Sequence, residues 1–311
     1  MLSALPSWLK GVMATVLLCG NTLALVPLLL VVALLRLFIP YEPWQRWCTR
    51  QAIRVAELWM TINSGWIRLT QKVRWNISGI DDLDQQHCYL VTANHQSWAD
   101  ILILQHLLNR KIPMMKFFLK QKLIWVPVIG LGWWALDFPF MKRYSSAYLE
   151  KYPEKRGKDL ESTRRACEKF KRAPVTIFNF VEGTRFTQKK QQQQASPYRF
   201  LLKPKAGGMA FVLDAMGSSI NQLLDITIAY PEQEAPTHPG QETPTFWQFM
   251  SGQVTAVEVR VVQRDIPQAF TERNYAADEV FRQAFQRWIN GLWLEKDQLL
   301  EKLNDAERPA N

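Results

Sequence analysis

The sequence predicts an α/β protein whose central sheet is mostly parallel and flanked by helices, preceded by a membrane helix or helix pair. Two observations support this fold class. The first is an uncharged apolar run of 24 residues at 12–35. The second is a series of short apolar runs that alternate with helix-like stretches. Such alternation is typical of parallel strands joined by crossover helices.

The apolar run at 12–35 is long enough for one helix to cross about 30 Å of hydrocarbon. A signal peptide would have a shorter apolar region, of about 7–15 residues, followed by a cleavage site between small residues. We therefore predict an uncleaved membrane anchor in residues 1–40. Asn21 and Pro27 interrupt the run, so a re-entrant helix pair within one leaflet is the alternative.

Basic residues follow the anchor more often than they precede it. Arg36, Arg46, Arg50 and Arg54 come after the run, whereas Lys10 precedes it. By the positive-inside rule, the main domain should face the cytoplasm. We therefore predict a membrane protein, located in the inner membrane of a bacterium.

Residues 41–74 have the composition of an amphipathic interfacial helix. Tryptophan alternates with basic side chains in this stretch: Trp44, Trp47, Trp59, Trp66, Arg46, Arg50, Arg54, Arg68, Lys72 and Arg74. In a lipid headgroup layer the rings would be buried and the charges would meet phosphate. The alternative is a helix that packs on the main domain and exposes its basic face to water.

Residues 75–270 should form the α/β domain. Its predicted strands are the apolar runs at 88–93, 175–181, 226–230 and 257–262. Its predicted helices are the stretches at 101–108, 159–171 and 209–216. Residues 188–197 contain a run of four glutamines and are predicted to be a loop. In residues 271–311, apolar side chains at helical spacing predict a C-terminal helix.

Charge is unevenly distributed along the chain. Residues 1–205 contain 30 basic and 13 acidic residues, net +17, whereas residues 206–311 contain 8 and 15, net −7. This asymmetry indicates an anionic partner: a nucleic acid, a membrane surface or a phosphorylated ligand. The hydrophobic content of 48% excludes a disordered protein. The four cysteines are far apart, so no zinc or other metal site is predicted.

His95 is the histidine best placed for chemistry, because it lies between a predicted strand and a helix-like run. Asp100 follows five residues later. On one continuous helix these side chains would point about 140° apart, but they can meet if His95 lies in the turn. Asp100 would then accept the Nδ1 proton and leave Nε2 as a base. The alternatives are a turn histidine with Ser97 as helix N-cap, or Ser97 as a nucleophile.

The segment Phe180-Val-Glu-Gly-Thr-Arg-Phe-Thr187 follows another predicted strand. Ligands of α/β proteins bind where parallel strands end. Gly183 permits close approach to the backbone, Thr184 supplies a hydroxyl, and Arg185 can hold a phosphate with two hydrogen bonds. The alternative is a surface ion pair between arginine and glutamate in a turn.

Two further segments are basic. Phe140-Met-Lys-Arg143 places Lys142 and Arg143 after an apolar stretch, and the segment at 202–208 contains Lys203 and Lys205 ahead of a predicted helix. The N-terminus of that helix would add to anion binding. Each basic pair alone is also compatible with a solvated surface.

The order of these segments resembles the glycerophospholipid acyltransferases, the family of 1-acylglycerol-3-phosphate acyltransferases. That family has Asn-His-x4-Asp, then Phe-Ile-x-Arg, then Glu-Gly-Thr-Arg, then an apolar strand that ends in proline. The corresponding segments here are Asn94-His95 with Asp100, Phe140-Met-Lys-Arg143, Glu182-Gly-Thr-Arg185 and Ile226-Thr-Ile-Ala-Tyr-Pro231.

The resemblance implies an enzyme that moves a fatty acyl group from acyl-CoA or acyl-carrier protein to the free hydroxyl of 1-acylglycerol 3-phosphate. His95 would be the general base, and Asp100 would orient it. The residues expected at the acceptor phosphate are Arg143, Glu182, Gly183, Thr184, Arg185, Lys203 and Lys205. No covalent intermediate, metal ion or other cofactor is implied. The expected partners are the acyl donor, the lysophospholipid acceptor and membrane lipids.

Departures from the family pattern leave the acceptor open. Asp137 stands where the family often has glycine, and Met141 replaces isoleucine. The pairs Lys-Arg at 142–143 and Tyr-Pro at 230–231 are more similar to the branch that handles long-chain lysophosphatidate and lysocardiolipin. The alternatives are therefore another lysophospholipid acceptor, or a non-enzymatic protein that binds membranes or anionic ligands on the same fold. A nucleic-acid role is not predicted, because the basic and aromatic residues lie beside a membrane segment.

Residues 112–140, between the first two motifs, combine methionine, phenylalanine and tryptophan with lysine. This composition suits an acyl-chain tunnel or membrane-facing wall, and it equally suits ordinary core packing.

Overall fold

The computed structural model describes residues 4–141, 167, 170, 173–231, 243–271 and 278–305. The chain begins with two long helices, α1 (Ser7–Phe38) and α2 (Glu42–Thr70). Further helices are α3 (Ala99–Leu108), α4 (Ile129–Ala135), α5 (Gln188–Gln193), α6 (Gly207–Met216), α7 (Phe246–Met250) and α8 (Glu279–Asp305). The strands are β1 (Arg74–Ser78), β2 (Tyr89–Ala93), β3 (Met115–Phe117), β4 (Leu119–Lys120), β5 (Phe140–Met141), β6 (Thr176–Asn179), β7 (Gln222–Ala229) and β8 (Ala256–Asp265).

Six of these strands form one sheet in the order β1-β8-β7-β2-β6-β3. Neighbours run parallel except β7 and β8, which are antiparallel. The predicted α/β class with a mostly parallel sheet is therefore confirmed. β2 lies between β6 and β7 and runs parallel to both. The carboxyl ends of these three strands consequently meet at one edge of the sheet.

Helices cover both faces of the sheet. Tyr89 and Val91 of β2 pack in one core with α3 and with Trp66 of α2. Leu90 points to the opposite face and packs in a second core with α6 and α8. Successive side chains of a strand lie on opposite faces, so a strand covered on both sides is apolar throughout. All five residues of β2 are accordingly buried.

Parts of the fold differ from the sequence-based prediction. The sequence does not predict β1, because its side chains alternate between exposed and half-buried positions at the sheet edge. Residues 188–197 are predicted as a loop, but α5 lies there. The Thr187 side chain caps this helix by accepting from the Lys190 amide, and glutamine and lysine favour helix. The helix predicted at 159–171 lies outside the described residues, apart from positions 167 and 170.

α1 and α2 pack together as an antiparallel hairpin. Asn21, which interrupts the apolar run, donates from Nδ2 to the Trp59 carbonyl at 2.9 Å and to Asn63 Oδ1 at 3.0 Å. Trp59 Nε1 donates to Thr22 Oγ1 at 3.0 Å. A shift of one helix along the other would leave buried polar groups without partners, so these contacts fix the alignment of the hairpin.

α1 is one continuous helix that contains Pro27. By length and composition it is able to cross a membrane, and 22% of its most apolar stretch is buried against the rest of the protein. On the buried side, Ala14 joins the core beneath the sheet, and Leu29 and Ala33 pack with Ala135 of α4. α1 therefore lies lengthwise against the α/β domain and exposes an apolar face on its other side.

Arg36, near the end of α1, forms an ion pair with Asp137. The guanidinium nitrogens lie 2.6 and 3.2 Å from the two carboxylate oxygens. Asp137 has a φ of +57°, in the left-handed region that glycine adopts freely and aspartate tolerates. This backbone conformation explains why glycine suits the position, while aspartate adds an ion pair to α1.

The C-terminal helix α8 packs on the second core through Phe285, Ile289 and Trp293. Lys296 of the same helix is buried, with Nζ 2.6 Å from Asp225 Oδ1 and donating to the Ile226 carbonyl at 2.6 Å. Burial lowers the pKa of Lys296, and the Asp225 carboxylate opposes that shift. The lysine therefore ties α8 to β7 in the middle of the sheet.

Candidate active site

The end of β2 and the start of α3 bring His95 and Asp100 together. β2 ends at Ala93 and α3 begins at Ala99, so His95 lies in the turn and Asp100 in the first helical turn. His95 Nδ1 lies 2.9 Å from Asp100 Oδ2. A carboxylate only accepts hydrogen bonds, so in this pair Nδ1 is the donor.

Asp100 is fully buried and accepts hydrogen bonds on both oxygens. Besides His95, the backbone amides of Gln96 and Ser97 donate to Oδ2 at 2.8 and 2.9 Å. The Tyr230 hydroxyl donates to Oδ1 at 2.5 Å. These donors hold the carboxylate in one orientation beneath the histidine ring.

The imidazole of His95 is held between aromatic rings. It stacks on Phe180, with ring centroids 4.0 Å apart, and Trp98 approaches it edge-on at 6.1 Å. The side chain is 8% exposed. Within the described part of the chain Nε2 has no hydrogen-bond partner. With Nδ1 held by Asp100, Nε2 is the nitrogen that can take a proton from a ligand.

Asn94 continues the pairing of β2 with β7 beyond the end of the strand. Its Nδ2 donates to the Ile228 carbonyl at 2.8 Å, and its Oδ1 accepts from the Ile228 amide at 2.9 Å. This pairing sets the turn against β7 and brings Tyr230 to Asp100. Neither Asn94 nor Tyr230 is among the predicted site residues, since their proximity follows from the alignment of two strands far apart in sequence.

Glu182 is fully buried beneath the turn. Oε1 accepts from the His95 amide and Oε2 from the Leu202 amide, both at 2.9 Å. The predicted contact of Glu182 with the acceptor phosphate is therefore wrong, because both oxygens face backbone amides and the side chain does not reach the surface. Glu182 instead joins the His95 turn to the segment that contains Lys203 and Lys205.

Stability should depend on pH through Glu182. Burial raises its pKa from 4.5 to about 8, although the Leu202 and His95 amides lower it. Because the folded-state pKa is raised, the stabilisation from the bound proton is complete below about pH 4.5 and is lost as the pH rises towards 8. Urea unfolding in detergent at successive pH values measures this loss.

The matched variant is Glu182→Gln, which keeps the shape of the side chain but cannot titrate. Over the same pH range, we expect the unfolding free energy to fall by on the order of 2 kcal/mol more in the wild type than in this variant. If the unfolding free energy depends on pH in the same way in both proteins, Glu182 is not the group that binds the stabilising proton.

The turn that follows β6 presents Arg185 to solvent. Gly183 has a φ of +71°, and its amide donates to the Phe180 carbonyl at 2.9 Å, so the turn uses the freedom of glycine. The Arg185 side chain is exposed, with its guanidinium carbon 4.9 Å from the Trp98 ring centroid. The Trp98 ring also packs against the His95 ring, so the guanidinium and the imidazole contact the same side chain.

Lys190 of α5 adds a cation that the sequence analysis does not include. Its Nζ donates to Thr184 Oγ1 at 2.9 Å and to the Arg185 carbonyl at 2.8 Å. Burial and the neighbouring Arg185 lower the pKa of Lys190. The residue was missed because it belongs to the polyglutamine segment, and its direction becomes evident only once that segment is helical.

Lys203 and Lys205 are exposed on either side of the buried Pro204. The Lys205 amide donates to the Val181 carbonyl at 2.8 Å, which places this segment alongside the Glu182 turn. The segment that carries both lysines therefore runs beside the turn that carries Glu182. Arg143 lies outside the described residues, so its predicted role stays a prediction.

Ser97 is a structural residue of the turn. Its Oγ donates to the Pro244 carbonyl at 2.6 Å and accepts from the Ala99 amide at 3.1 Å. With 1% of the residue exposed, the hydroxyl is not available as a nucleophile. This arrangement favours His95 over Ser97 as the reactive group.

The apolar segment at 112–140 lies partly in the cores and partly at the surface, and its predicted role as an acyl-chain tunnel or membrane-facing wall stays a prediction. Met114, Met115 and Phe138 are buried in the cores. Trp125 is 84% exposed and Leu131 is 50% exposed. The methionines therefore pack the domain, while the second half of the segment presents large apolar side chains at the surface.

Comparison with known proteins points to one family. The Acyltransferase family model matches residues 74–231, just over half of the chain. 1-Acyl-sn-glycerol-3-phosphate acyltransferase 2 of Brassica napus is 27% identical over 226 residues, which is 68% of this chain and 51% of that protein. Lysocardiolipin acyltransferase 1 of Mus musculus is 23% identical over 281 residues, 85% of this chain and 66% of that protein.

A solved structure is also similar. The crystal structure of the 1-acyl-sn-glycerophosphate (LPA) acyltransferase PlsC from Thermotoga maritima matches with a TM-score of 0.49 at 15% identity, over 92% of this chain and 98% of that one. The chain spans about half the length of the first of the curated relatives it matches. The Acyltransferase family model matches more than half of this chain, and this shows that the chain belongs to the acyltransferase family.

Proposed function

We propose that this protein transfers a fatty acyl group from a thioester donor to the free hydroxyl of a lysophospholipid, with 1-acylglycerol 3-phosphate as the acceptor and phosphatidic acid as the product. The observation that supports this most strongly is the His95–Asp100 pair, which lies one aromatic ring away from the exposed Arg185. A base beside an arginine suits an acceptor that carries a free hydroxyl and a phosphate on the same glycerol unit.

The proposed reaction is direct transfer. His95 Nε2 takes the proton of the acceptor hydroxyl, and the freed oxygen attacks the carbonyl carbon of the thioester. The new C–O bond forms, the C–S bond breaks, and the imidazolium returns the proton to the leaving thiolate. Asp100 orients the ring and stabilises its positive charge between these steps. Each step uses only the two substrates and groups of the chain.

The phosphate of the acceptor would bind at the basic edge of the sheet. Arg185 is exposed there, and Lys203 and Lys205 are exposed on the segment whose Lys205 amide bonds to the Val181 carbonyl. Lys190 of α5 donates to Thr184 of the same turn. We include Arg143 in this set on the basis of its motif. Gly183 contributes by letting the turn close tightly.

The acyl chains would come from a membrane surface. The exposed face of α1 is apolar over its whole length, with Trp8, Val16, Leu23, Val31 and Phe38 each more than half exposed. Because α1 also lies lengthwise on the domain, we propose that the helix rests in one leaflet beside the active site rather than leaving the domain to span the bilayer. The bacterial inner membrane and the cytoplasmic orientation stay predictions of the sequence.

The test uses the full-length protein purified in detergent and in nanodiscs, with labelled oleoyl-CoA and 1-acylglycerol 3-phosphate. Formation of labelled phosphatidic acid is the expected result. A parallel series with oleoyl-acyl-carrier protein and with lysophosphatidylinositol and lysocardiolipin identifies the preferred donor and acceptor. Tight lipid binding without acyl transfer to any acceptor would favour a non-enzymatic binding protein.

Replacing Arg185 by alanine should weaken binding of the acceptor selectively. Loss of a charge-assisted contact to phosphate should raise the acceptor KM about 10- to 100-fold and leave the donor KM within about twofold. Steady-state kinetics with each substrate varied in turn measure both constants. Arg46→Ala is the control, because Arg46 is an exposed arginine on α2 that pairs with Glu42. An effect confined to the donor KM would contradict this assignment.

A further inference from the structure

We infer that Tyr230 is a positioning residue of the active site, whose hydroxyl holds the Asp100 carboxylate in the orientation that serves His95. The inference rests on the proposed function, because it concerns the base of that reaction. It adds a third member to the His95–Asp100 pair, contributed by the residue that directly follows β7.

The two oxygens of Asp100 are held from different parts of the chain. The donors to Oδ2 come from residues 95–97, immediately before the helix. Within the described residues, Tyr230 is the donor to Oδ1, at 2.5 Å. Rotation about the Cβ–Cγ bond of Asp100 moves both oxygens, so the Tyr230 hydroxyl on Oδ1 adds a restraint from a different part of the chain to that of the three donors on Oδ2.

The position of Tyr230 is itself fixed. It directly follows β7, and the two hydrogen bonds between Asn94 and Ile228 align β7 with the His95 turn two residues earlier. Tyr230 is 6% exposed and Asp100 is fully buried. Water therefore does not replace the hydroxyl easily when it is removed.

The hydroxyl remains a donor at working pH. Burial, with the adjacent Asp100 carboxylate, raises the pKa of Tyr230 well above its ordinary value. The other charged or titratable groups around the pair are Glu182, which accepts from the His95 amide, Arg185, which contacts Trp98, Lys190 on α5 and Lys296 on α8. None of these contacts Oδ1 among the described residues.

Removing the hydroxyl should change both the rate and the titration of His95. Without Tyr230 the negative charge of Asp100 is shared with fewer donors, so it should stabilise the imidazolium more strongly. In Tyr230→Phe we expect kcat to fall about 10-fold with both KM values within about twofold. The acid limb of the pH profile should move up by roughly half a pH unit.

The experiment compares Tyr230→Phe with Tyr198→Phe in nanodiscs. Tyr198 is a matched control, because it is equally buried and its hydroxyl donates to a backbone carbonyl, that of Asn290. Kinetics are measured from pH 5 to pH 9. The pKa of His95 is followed by NMR of 15N-histidine-labelled protein, with the resonance assigned from its absence in His95→Ala. The control should match the wild type in both measurements.

The outcomes separate this inference from the proposed function. Unchanged kcat and unchanged His95 titration in Tyr230→Phe would overturn it, as would a loss of activity that follows thermal stability with an unmoved pH profile. If the wild type transfers no acyl group, the proposed function fails, while the NMR titration still decides the inference. If Tyr230→Phe does not fold, 3-fluorotyrosine is placed at position 230 instead. Its hydroxyl is a stronger donor to Asp100, so the pKa of His95 should fall. An unchanged pKa of His95 in that protein would overturn the inference.

Discussion

Replacing His95 by alanine should reduce acyl transfer about 1,000-fold, because in the proposed mechanism the same imidazole removes the proton from the acceptor and returns it to the leaving thiolate. The structure predicts that this variant loses the imidazole and keeps the other contacts of the turn. The backbone amide of His95 still donates to Glu182, and Asp100 still accepts from Gln96, Ser97 and Tyr230. The turn should therefore persist without its base. Initial rates with labelled acyl-CoA measure the loss.

The control for this experiment is His87→Ala. His87 is an exposed histidine that pairs with Asp84 at the surface, away from β2's carboxyl end, and its replacement should leave the rate unchanged. The rate of acyl transfer by Asp100→Asn should lie between those of His95→Ala and His87→Ala, since the imidazole is kept but its orientation is lost. If His95→Ala keeps full activity with an intact fold, His95 is not the base and the proposed mechanism is wrong.

The second large effect concerns stability rather than catalysis. Replacing Lys296 by methionine should lower the free energy of unfolding by about 3–5 kcal/mol, because it leaves a buried carboxylate without its nearest cation. Nζ is fully buried and lies 2.6 Å from Asp225 Oδ1, and it also donates to the Ile226 carbonyl. Arg264, at 3.6 Å from Asp225, compensates only in part. Chemical denaturation in detergent measures the change.

Two further variants test the cause of that loss. Lys302→Met removes an exposed lysine from the same helix and should be nearly neutral. The double variant Lys296→Met with Asp225→Asn removes the unpaired charge and should recover part of the stability. A loss that is equal for Lys296→Met and Lys302→Met would show that the helix, and not the buried pair, accounts for the effect.

The parts of the fold that could be predicted are those in which local pattern and burial agree. β2 is buried at every position and β7 at every position but its first, because helices cover both of their faces. β1 could not be found in this way, since one residue in two is exposed at the sheet edge. α5 was hidden by its low-complexity sequence, although Thr187 provides the cap that starts it.

The candidate site was predictable to the extent that it is local in sequence. His95 and Asp100 lie at one strand-to-helix junction, so their spacing was enough to propose a contact. Tyr230 lies 130 residues from Asp100, and only the alignment of β2 with β7 brings them together. Glu182 shows the opposite case. Its motif indicates a turn that faces a ligand, but the side chain is buried and its oxygens accept from the His95 and Leu202 amides.

The way α1 lies on the domain has a consequence for handling the protein. Ala14 of α1 is part of the same core as Trp66 and Phe249, and a β-carbon on Gly11 would lie within 2.7 Å of the Trp247 ring. Truncation of an apolar N-terminal helix is a common way to obtain a soluble fragment. In this protein it would instead expose core side chains of the α/β domain, so we expect a fragment without α1 to be less soluble than a simple anchor deletion would suggest.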